Sequence, residues 1–194
     1  MNSTVILKGN ILYTPRPSEF ISIQHGYIIA VDGVVVYCGE SIPPAYADCE
    51  VTDYGDNLII PGFVDTHAHA PQYCNRGLGM DKELLPWLEA YTFPEEAKFS
   101  DLDYARLVYG AFVQDLWRNG TTRSILFGTI HKESTLVLME LLQKAGLSAY
   151  VGKVNMDRNS PDFLIEETSQ SLVDTKDWVE ASVSFGPLVK PIIT

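Results

Sequence analysis

The sequence after residue 57 alternates between strand-like and helix-like segments, and this alternation restricts the fold more than any other feature of the chain. Strands that alternate with helices of about a dozen residues form parallel βα units. We therefore predict an α/β fold with a parallel sheet. Its four strands are expected at Asn57–Val64, Thr121–Phe127, Ser148–Asn155 and Val189–Thr194.

Start and stop signals mark the helices between these strands. The clearest predicted helix, Asp101–Asn119, follows a capping-box pair of Ser100 and Asp103 and stops before Gly120. Apolar side chains recur along this segment at helical spacing. Three further helices are predicted at Lys82–Tyr91, Lys132–Ala145 and Pro161–Val183.

The number of strands leaves two architectures open. A closed (β/α)₈ barrel contains eight strands and typically ~250 residues, whereas four strands are predicted after residue 57. The segment 58–194 is therefore either a small open α/β sheet or the first half, about four βα units, of a TIM barrel.

Residues 1–57 have a different sequence pattern, with strand-like runs and no helix-like segments. This pattern predicts a small β-rich domain before the α/β domain at 58–194. Two strand-like runs, TVILKGNILYT and FISIQHG, are separated by a proline-rich breaker. Two more apolar runs flank Asp32-Gly33, a dipeptide typical of a two-residue hairpin turn.

Charge and cysteine content exclude several classes of partner. The 194 residues include 14 basic and 25 acidic side chains, and the formal charge of −11 argues against nucleic acid or an anionic membrane as a partner. No apolar run reaches the ~18–20 residues that span a bilayer, and the N-terminal residues lack the pattern of a secretory signal. Cys38, Cys49 and Cys74 form no CxxC pair. A reducing, cytoplasmic setting is the expectation.

Two histidines follow the first strand predicted in the α/β domain. In the stretch IIPGFVDTHAHAPQ, one residue separates His67 from His69, so both project to one side if the strand continues past Val64. Active sites of α/β folds lie at the carboxyl ends of the strands, and paired imidazoles suit zinc, iron, copper or nickel. The alternative is a pair of loop histidines without a metal. The preceding Pro-Gly turn favours the metal site.

The same stretch resembles a known signature. PGFVDTHAHA is similar to the motif at the first barrel strand of the amidohydrolase superfamily, a group of metal-dependent hydrolases built on a (β/α)₈ barrel. The β-rich start is similar in kind to a small β domain that these proteins carry. Six further segments resemble the guanine deaminase family, and its bacterial forms most strongly. They are HAPQY, GMDKELLPWL, YTFPEE, NGTT, TIH and VGKVNMD.

This resemblance implies zinc-dependent hydrolytic deamination of guanine to xanthine and ammonia, a step of purine catabolism. It implies that His67 and His69 are zinc ligands, and that the purine site is lined by His69, Ala70, Pro71 and Gln72. Zinc would lower the pKa of bound water toward ~7. The amide of Gln72 matches both donors and acceptors on the edge of a base. A solvent-exposed loop position is the alternative interpretation of Gln72.

Several other side chains have two open interpretations. Trp87, Tyr91 and Phe93 form either an aromatic wall of the site or part of the core. His131 follows the second strand and Lys153 follows the third, at the end of the sheet where barrel chemistry occurs. Each of these two residues either takes part in the site or serves packing alone.

The resemblance also implies parts that lie on later strands than the four predicted here. These are further zinc ligands, an acid/base Glu in a His-x-x-Glu segment and a substrate-binding Arg. A catalytic zinc has three protein ligands, and a four-stranded half barrel has open strand edges. We therefore expect a barrel truncated after its fourth strand and an inactive fragment. The expected partner, besides a purine substrate, is a complementing C-terminal half or a second copy in a homodimer.

Two other functions stay open at this stage. One is the action of another amidohydrolase on a different amino-heterocycle, such as cytosine or a triazine-like ring. The other is a non-catalytic metal-binding or assembly module. A substrate panel separates the first from guanine deamination. Sedimentation tests the second, because a clean monomer excludes a barrel completed by two copies.

Overall fold

The computed structural model of the chain describes residues 3–194. Contacts divide the chain into two compact units, Met1–Pro61 and Gly62–Thr194. No helix in the described part of the chain is long and apolar enough to cross a membrane.

The first unit is built on a four-stranded sheet in the order β3-β2-β1-β4. Its elements are β1 (Thr4–Arg16), β2 (Glu19–Val31), β3 (Val34–Gly39), a 3₁₀ turn (Pro44–Tyr46) and β4 (Val51–Ile59). The first three strands pair antiparallel, whereas β4 runs parallel to β1. The hairpin predicted at Asp32-Gly33 joins β2 to β3. Both of its residues have the positive φ angles, 51° and 78°, that a type I′ turn requires.

The second unit is a parallel sheet whose strands are hydrogen-bonded in the order β5-β6-β7-β8. The strands are β5 (Phe63–His69), β6 (Thr121–Phe127), β7 (Ser148–Gly152) and β8 (Val189–Pro191). The helices are α1 (Leu84–Trp87), α2 (Phe93–Ala97), α3 (Leu102–Arg118), α4 (Lys132–Ala145) and α5 (Thr168–Ser182). Irregular helical turns occupy Ala70–Asn75 and Lys98–Ser100, both 3₁₀, and Leu88–Thr92, a π turn. This is the mixed α/β fold that the alternating pattern predicts.

One predicted strand, Asn57–Val64, is two strands in the structure. Its first part ends β4, which pairs with β1, and its second part begins β5. Pro61 cannot donate to a sheet ladder because it has no N–H. At Gly62 a Cβ would lie 2.3 Å from the Thr122 side chain, so the chain passes too close to β6 for any larger residue. The boundary between the units accordingly falls after Pro61 rather than after residue 57.

The start of α3 also differs from the prediction. Its N-cap is Asp101, whose carboxylate accepts hydrogen bonds from the backbone N–H groups of Asp103 and Tyr104 at 2.9 and 3.3 Å. Ser100, the predicted cap, instead donates from its hydroxyl to the carbonyl of Ala97. A carboxylate at this position also interacts favourably with the positive end of the helix dipole, which explains the choice of Asp101.

Two predicted helices are shorter or less regular than expected. The segment Lys82–Tyr91 contains only the single turn α1 and part of the π turn. The helix predicted from Pro161 begins at Thr168, where Glu167 accepts from two backbone N–H groups as its cap. The preceding residue, Glu166, is engaged with the end of β7, which keeps this segment out of the helix.

The core of the second unit lies between its sheet and the long helices α3, α4 and α5. The strands contribute side chains such as Leu126, Ala149 and Val151, all essentially inaccessible to solvent. Apolar residues on the opposite face and at the β5 edge remain open among the described residues: Tyr150 is 42% exposed and Phe63 is 58% exposed. This sheet therefore has one covered face and one uncovered face.

Candidate active site

The carboxyl end of β5 presents two imidazoles. His67 and His69 lie on the same side of the strand, with ring centroids 5.2 Å apart, as the sequence predicts. Both rings contact Phe127, the last residue of the neighbouring strand β6. The Phe127 ring stacks on His69 at a centroid distance of 4.5 Å and an angle of 8°, which restricts rotation of that imidazole.

An irregularity in β5 sets the direction of these side chains. The pairing register with β6 shifts between Asp65 and Ala68. The Asp65 carboxylate accepts a hydrogen bond from the backbone N–H of His67 at 3.0 Å. This backbone N–H, at the irregular position, therefore has a hydrogen-bond partner. Ala68, which lies between the two histidines in the sequence, packs against the core. Bulges next to functional sites commonly re-aim side chains in this way.

The electrostatic environment favours the form of imidazole that binds a metal. Burial, and secondly the neighbouring His67, lower the pKa of His69. A neutral imidazole keeps a ring nitrogen lone pair available for a metal ion. No group of three or more His, Cys, Asp or Glu residues suited to a metal occurs within residues 3–194. His67 and His69 are therefore a pair of candidate metal ligands without a third ligand among residues 3–194.

A cavity of about 570 Å³ lies beside His69. Gln72 and Trp87 line the same cavity, as do Tyr73 and Phe112. The volume is that of a small-molecule site, for which ~300–1,000 Å³ is typical. Gln72 is thus a cavity residue rather than an exposed loop residue. The lining thus combines one imidazole, that of His69, with the side-chain amide of Gln72.

Two other residues of the predicted purine site have a different position. Ala70 and Pro71 are buried in the 3₁₀ turn Ala70–Asn75 and do not line this cavity. They connect His69 to Gln72 and fix the distance between the strand end and the amide. Their contact with a base stays a prediction.

The loop before α1 closes one side of the cavity. The indole N–H of Trp87 donates to the carbonyl of Leu78 at 3.0 Å, and Gly79 has a φ of +67°. A Cβ at Gly79 would lie 2.7 Å from the rings of Trp87 and Tyr91, so only glycine allows this approach. Of the three predicted wall aromatics, Trp87 lines this cavity, whereas Phe93 lines a separate groove with Pro161.

Substituting Gly79 with alanine is expected to loosen this wall. Alanine at this position would have to adopt the left-handed backbone conformation, and its Cβ would clash with the rings of Trp87 and Tyr91. We expect a loss of about 2 kcal/mol in unfolding free energy. Gly77→Ala is the matched control, because Gly77 has a φ of +76° and open space around its Cβ position. Chemical denaturation followed by Trp fluorescence measures both. Equal losses in the two variants would show that the Trp87 contact contributes nothing.

Sequence reasoning missed a buried acid at this site. Glu96, on α2, is 4% exposed, and the side chain of Gln72 acts to lower the pKa of its carboxyl. Burial outweighs this interaction and raises the pKa of Glu96 to about 7. The adjacent Glu95 differs, since its carboxylate accepts from the Tyr104 hydroxyl and from Lys98 at 2.6 Å. Paired glutamates in an aromatic-rich segment, YTFPEE, were the only signal in the sequence.

The raised pKa of Glu96 makes stability depend on pH. Its folded pKa of about 7 lies above the ordinary value of 4.5, so the folded state binds the proton more tightly than the unfolded state does. This contribution to stability is complete below pH 4.5 and is lost as the pH rises through 7. At pH 4.5 this contribution stabilises the parent, and at pH 8 it is lost. We therefore expect the unfolding free energy of Glu96→Gln, relative to that of the parent, to be higher at pH 8 than at pH 4.5 by up to about 3 kcal/mol. Urea titrations at the two pH values measure the difference, and Glu95→Gln is the control.

Lys153 follows β7 but is fully engaged elsewhere. Its buried ammonium donates to the carbonyl of Val154, to the side-chain oxygen of Asn155 and to Glu166, at 3.0, 3.0 and 2.9 Å. The second oxygen of Glu166 accepts from the backbone N–H of Met156 at 2.7 Å. All three ammonium protons therefore have acceptors. Lys153 does not line the cavity, and its geometry is that of an ion pair that ties down the segment after β7.

His131 lies at the N-terminal end of α4 and also does not line the cavity. Burial is the main cause of its lowered pKa, with Glu166 acting in the opposite direction and Lys153 in the same one. Its Nε2 is buried without a hydrogen-bond partner among the described residues. The backbone N–H of His131 donates to the Thr129 hydroxyl at 3.1 Å. His131 therefore has no contact with the candidate cavity, and its role stays a prediction.

Comparison with known proteins identifies the class of this chain. The model of the amidohydrolase family matches residues 58–186, and the chain belongs to that family. The resemblance seen in the HxH segment is thereby confirmed.

Within this class the chain is similar to guanine deaminases. It is 52% identical over 145 residues to the guanine deaminase of Dictyostelium discoideum and 39% identical over 175 residues to that of Escherichia coli. These alignments cover 74% and 85% of the chain but 32% and 39% of the relatives. A crystal structure of the C. acetobutylicum enzyme with guanine in its active site superposes with a TM-score of 0.94 at 48% identity. That match covers 99% of the chain and 46% of the other protein, so the chain spans less than half the length of these relatives.

Proposed function

We propose that this chain is the N-terminal portion of a zinc-dependent guanine deaminase, which hydrolyses guanine to xanthine and ammonia in purine catabolism. One observation carries the proposal: His69 and Gln72 line the same cavity of small-molecule size at the carboxyl end of a parallel sheet. The relatives with this sequence pattern are guanine deaminases, and one of them holds guanine. The expected setting is the cytoplasm.

The proposed architecture is half of a TIM barrel after a small β-rich domain. Four parallel strands in sequential order, with helices on one face, support the half-barrel interpretation. The uncovered sheet face, with Phe63 and Tyr150 exposed, supports a missing complement. We assign this role to a C-terminal half of four further βα units. A clean dimer in sedimentation would instead favour two copies of this chain.

His67 and His69 would hold the zinc ion, and their donor chemistry fits it. Both are imidazoles on one side of a strand end, and the neutral form of His69 is favoured. Zinc bound there would supply Lewis-acid chemistry that activates water at neutral pH. The remaining ligands would come from the complementing half, because a catalytic zinc has three protein ligands.

The chain's own residues would bind and orient the base. Gln72 offers one donor and one acceptor to the edge of a neutral purine. Trp87 and Phe112 give an apolar wall against a planar ring. The loop that Trp87 anchors through Leu78 forms part of the cavity lining and would contact the base from one side. Guanine is the substrate that this combination and the relatives favour.

A chimera tests this assignment. Residues 1–194 replace the matching segment of the C. acetobutylicum guanine deaminase, a graft that the TM-score of 0.94 and 48% identity make practicable. This protein is the complemented enzyme below. We expect deamination of guanine in clear preference to cytosine and aminotriazines, measured by ammonia release. Equal or better turnover of cytosine would contradict the proposed function and favour another amino-heterocycle hydrolase.

A further inference from the structure

We infer that Asp115, on α3, is a positioning residue that sets the width of the candidate cavity by anchoring Tyr73 in the turn that carries Gln72. This inference rests on the proposed function, because it assigns one determinant of base recognition to that same site. Asp115 lies outside the cavity lining, so it would act on a bound base through Tyr73 and the neighbouring Gln72 rather than by direct contact.

Two elements that contact each other contribute to the cavity lining. The 3₁₀ turn Ala70–Asn75 contributes Gln72 and Tyr73, and α3 contributes Phe112. Asp115 follows Phe112 by three residues, so the two are neighbours on one face of the helix. The hydroxyl of Tyr73 donates to the Asp115 carboxylate at 2.5 Å, and the Tyr73 ring packs edge-on against Phe112 at a centroid distance of 5.8 Å. One hydrogen bond therefore joins the two walls.

Two guanidinium groups reinforce this bond. Arg76 donates to the same Asp115 oxygen at 3.3 Å, and Arg118 donates to the other oxygen at 3.5 Å. The Arg76 guanidinium also lies 3.7 Å from the centre of the Tyr73 ring, a cation–π contact. The hydrogen bond from Tyr73 is the largest cause that lowers the pKa of Asp115, and both arginines act in the same direction against burial. The acceptor is therefore an ionised carboxylate, and such hydrogen bonds are roughly twice as strong as neutral ones.

The two ends of the turn are attached elsewhere. Its first residue continues directly from β5. At its last residue, the side-chain amide of the buried Asn75 donates to the carbonyl of Tyr91 at 3.1 Å. The bond from Tyr73 to Asp115 is thus the attachment of the middle of the turn, where Gln72 lies. Without this bond the middle of the turn can shift relative to α3, and the cavity no longer has one width.

The bond is tested first in the 194-residue chain, by urea denaturation of single and double variants. Tyr73→Phe removes only the hydroxyl, and we expect it to lower the denaturation midpoint of the parent. In an Asp115→Ala background the same change should have no further effect, because the acceptor of the hydrogen bond is already absent.

Glu140→Ala provides the matched control background. Glu140, on α4, also accepts from two cations, Arg106 and Lys144, at 3.1 and 2.5 Å. In this background Tyr73→Phe should lower the midpoint as it does in the parent. An equal effect of Tyr73→Phe in all three backgrounds, or no effect in any of them, would overturn the inference, whether or not the protein deaminates guanine.

The effect on recognition is then measured in the complemented enzyme. Tyr73→Phe and Asp115→Ala each free the turn from α3, so we expect KM for guanine to rise about fivefold to tenfold with a smaller change in kcat. A cavity without a fixed width selects less by the size of the base, so the preference for guanine over cytosine should fall. Glu140→Ala should keep the parent's KM. Partial unfolding alone would instead lower the apparent kcat and leave KM unchanged, which would contradict the positioning role.

The two experiments distinguish two failures. A complemented enzyme that does not act on guanine contradicts the proposed function, while the urea measurements still decide whether Tyr73 and Asp115 are coupled. Guanine turnover with an unchanged KM in Tyr73→Phe and Asp115→Ala contradicts the positioning role and leaves the proposed function standing.

Discussion

Replacing Lys153 with methionine is expected to lower the free energy of unfolding by about 3–5 kcal/mol, the usual cost of removing one partner from a buried ion pair. Lys153 is fully buried, and its partner Glu166 is nearly so. The variant leaves the Glu166 carboxylate in the interior with a backbone N–H of Met156 as its remaining donor. The loop between β7 and α5 would lose its main attachment.

The matched control for this prediction removes both charges. In Lys153→Met/Glu166→Gln no uncompensated charge remains, and we expect at least half of the lost stability to return. Urea denaturation of the parent, both single variants and the double variant completes the cycle. Additive losses in the double variant would contradict the account, because they would mean that the two side chains do not interact.

Replacing His67 and His69 together with alanine is expected to abolish zinc binding and guanine turnover in the complemented enzyme. Loss of a supporting group behind a metal ligand already costs 10–100-fold in affinity or activity, so removing two ligands should lower turnover by more than about a hundredfold. Zinc is measured by atomic emission and xanthine by absorbance.

A histidine outside the site provides the control, because it shows whether removing any imidazole from the protein lowers zinc content or turnover. His25 lies in the first unit, is exposed and is remote in sequence from β5. His25→Ala should retain the zinc content and turnover of the parent. Substantial turnover in the double variant of His67 and His69 would show that these residues are not the metal ligands.

The repeating elements of this fold could be read from the sequence with some accuracy. The strand predicted at Thr121–Phe127 and the helix predicted at Lys132–Ala145 have the same bounds in the structure. Both have sharp local signals, since the strand follows Gly120 and ends in the apolar run Ile125–Phe127, and the helix ends at Gly146 with a φ of +71°. Local patterns therefore suffice where the chain stops an element by its own backbone chemistry.

Other features depended on contacts between distant residues. The apolar run Asn57–Val64 does not reveal that its first half pairs with β1, because any apolar strand suits several partners. Burial of Glu96 comes from packing around α2, and charged residues in a sequence usually predict a surface. Lys153 and Glu166 are 13 residues apart in the chain, so their ion pair follows from the fold alone.

The candidate site shows the same division. The spacing of His67 and His69 predicted their common direction, and the resemblance to amidohydrolases pointed to Gln72. The structure added the stacking of Phe127 on His69, the anchoring of Trp87 to Leu78 and the burial of Glu96. These supporting contacts orient the residues that the sequence could name, and no short motif encodes them.

The most direct test of the central claim compares zinc content and guanine turnover in the 194-residue chain and in the complemented enzyme. If the chain carries half of a guanine-deaminating site, the chain alone should be metal-poor and inactive. The complemented enzyme should hold about one zinc and produce xanthine. Turnover by the isolated chain with one bound zinc would contradict this account, because it would mean that the two histidines at the end of β5 need no further ligands from a complementing half.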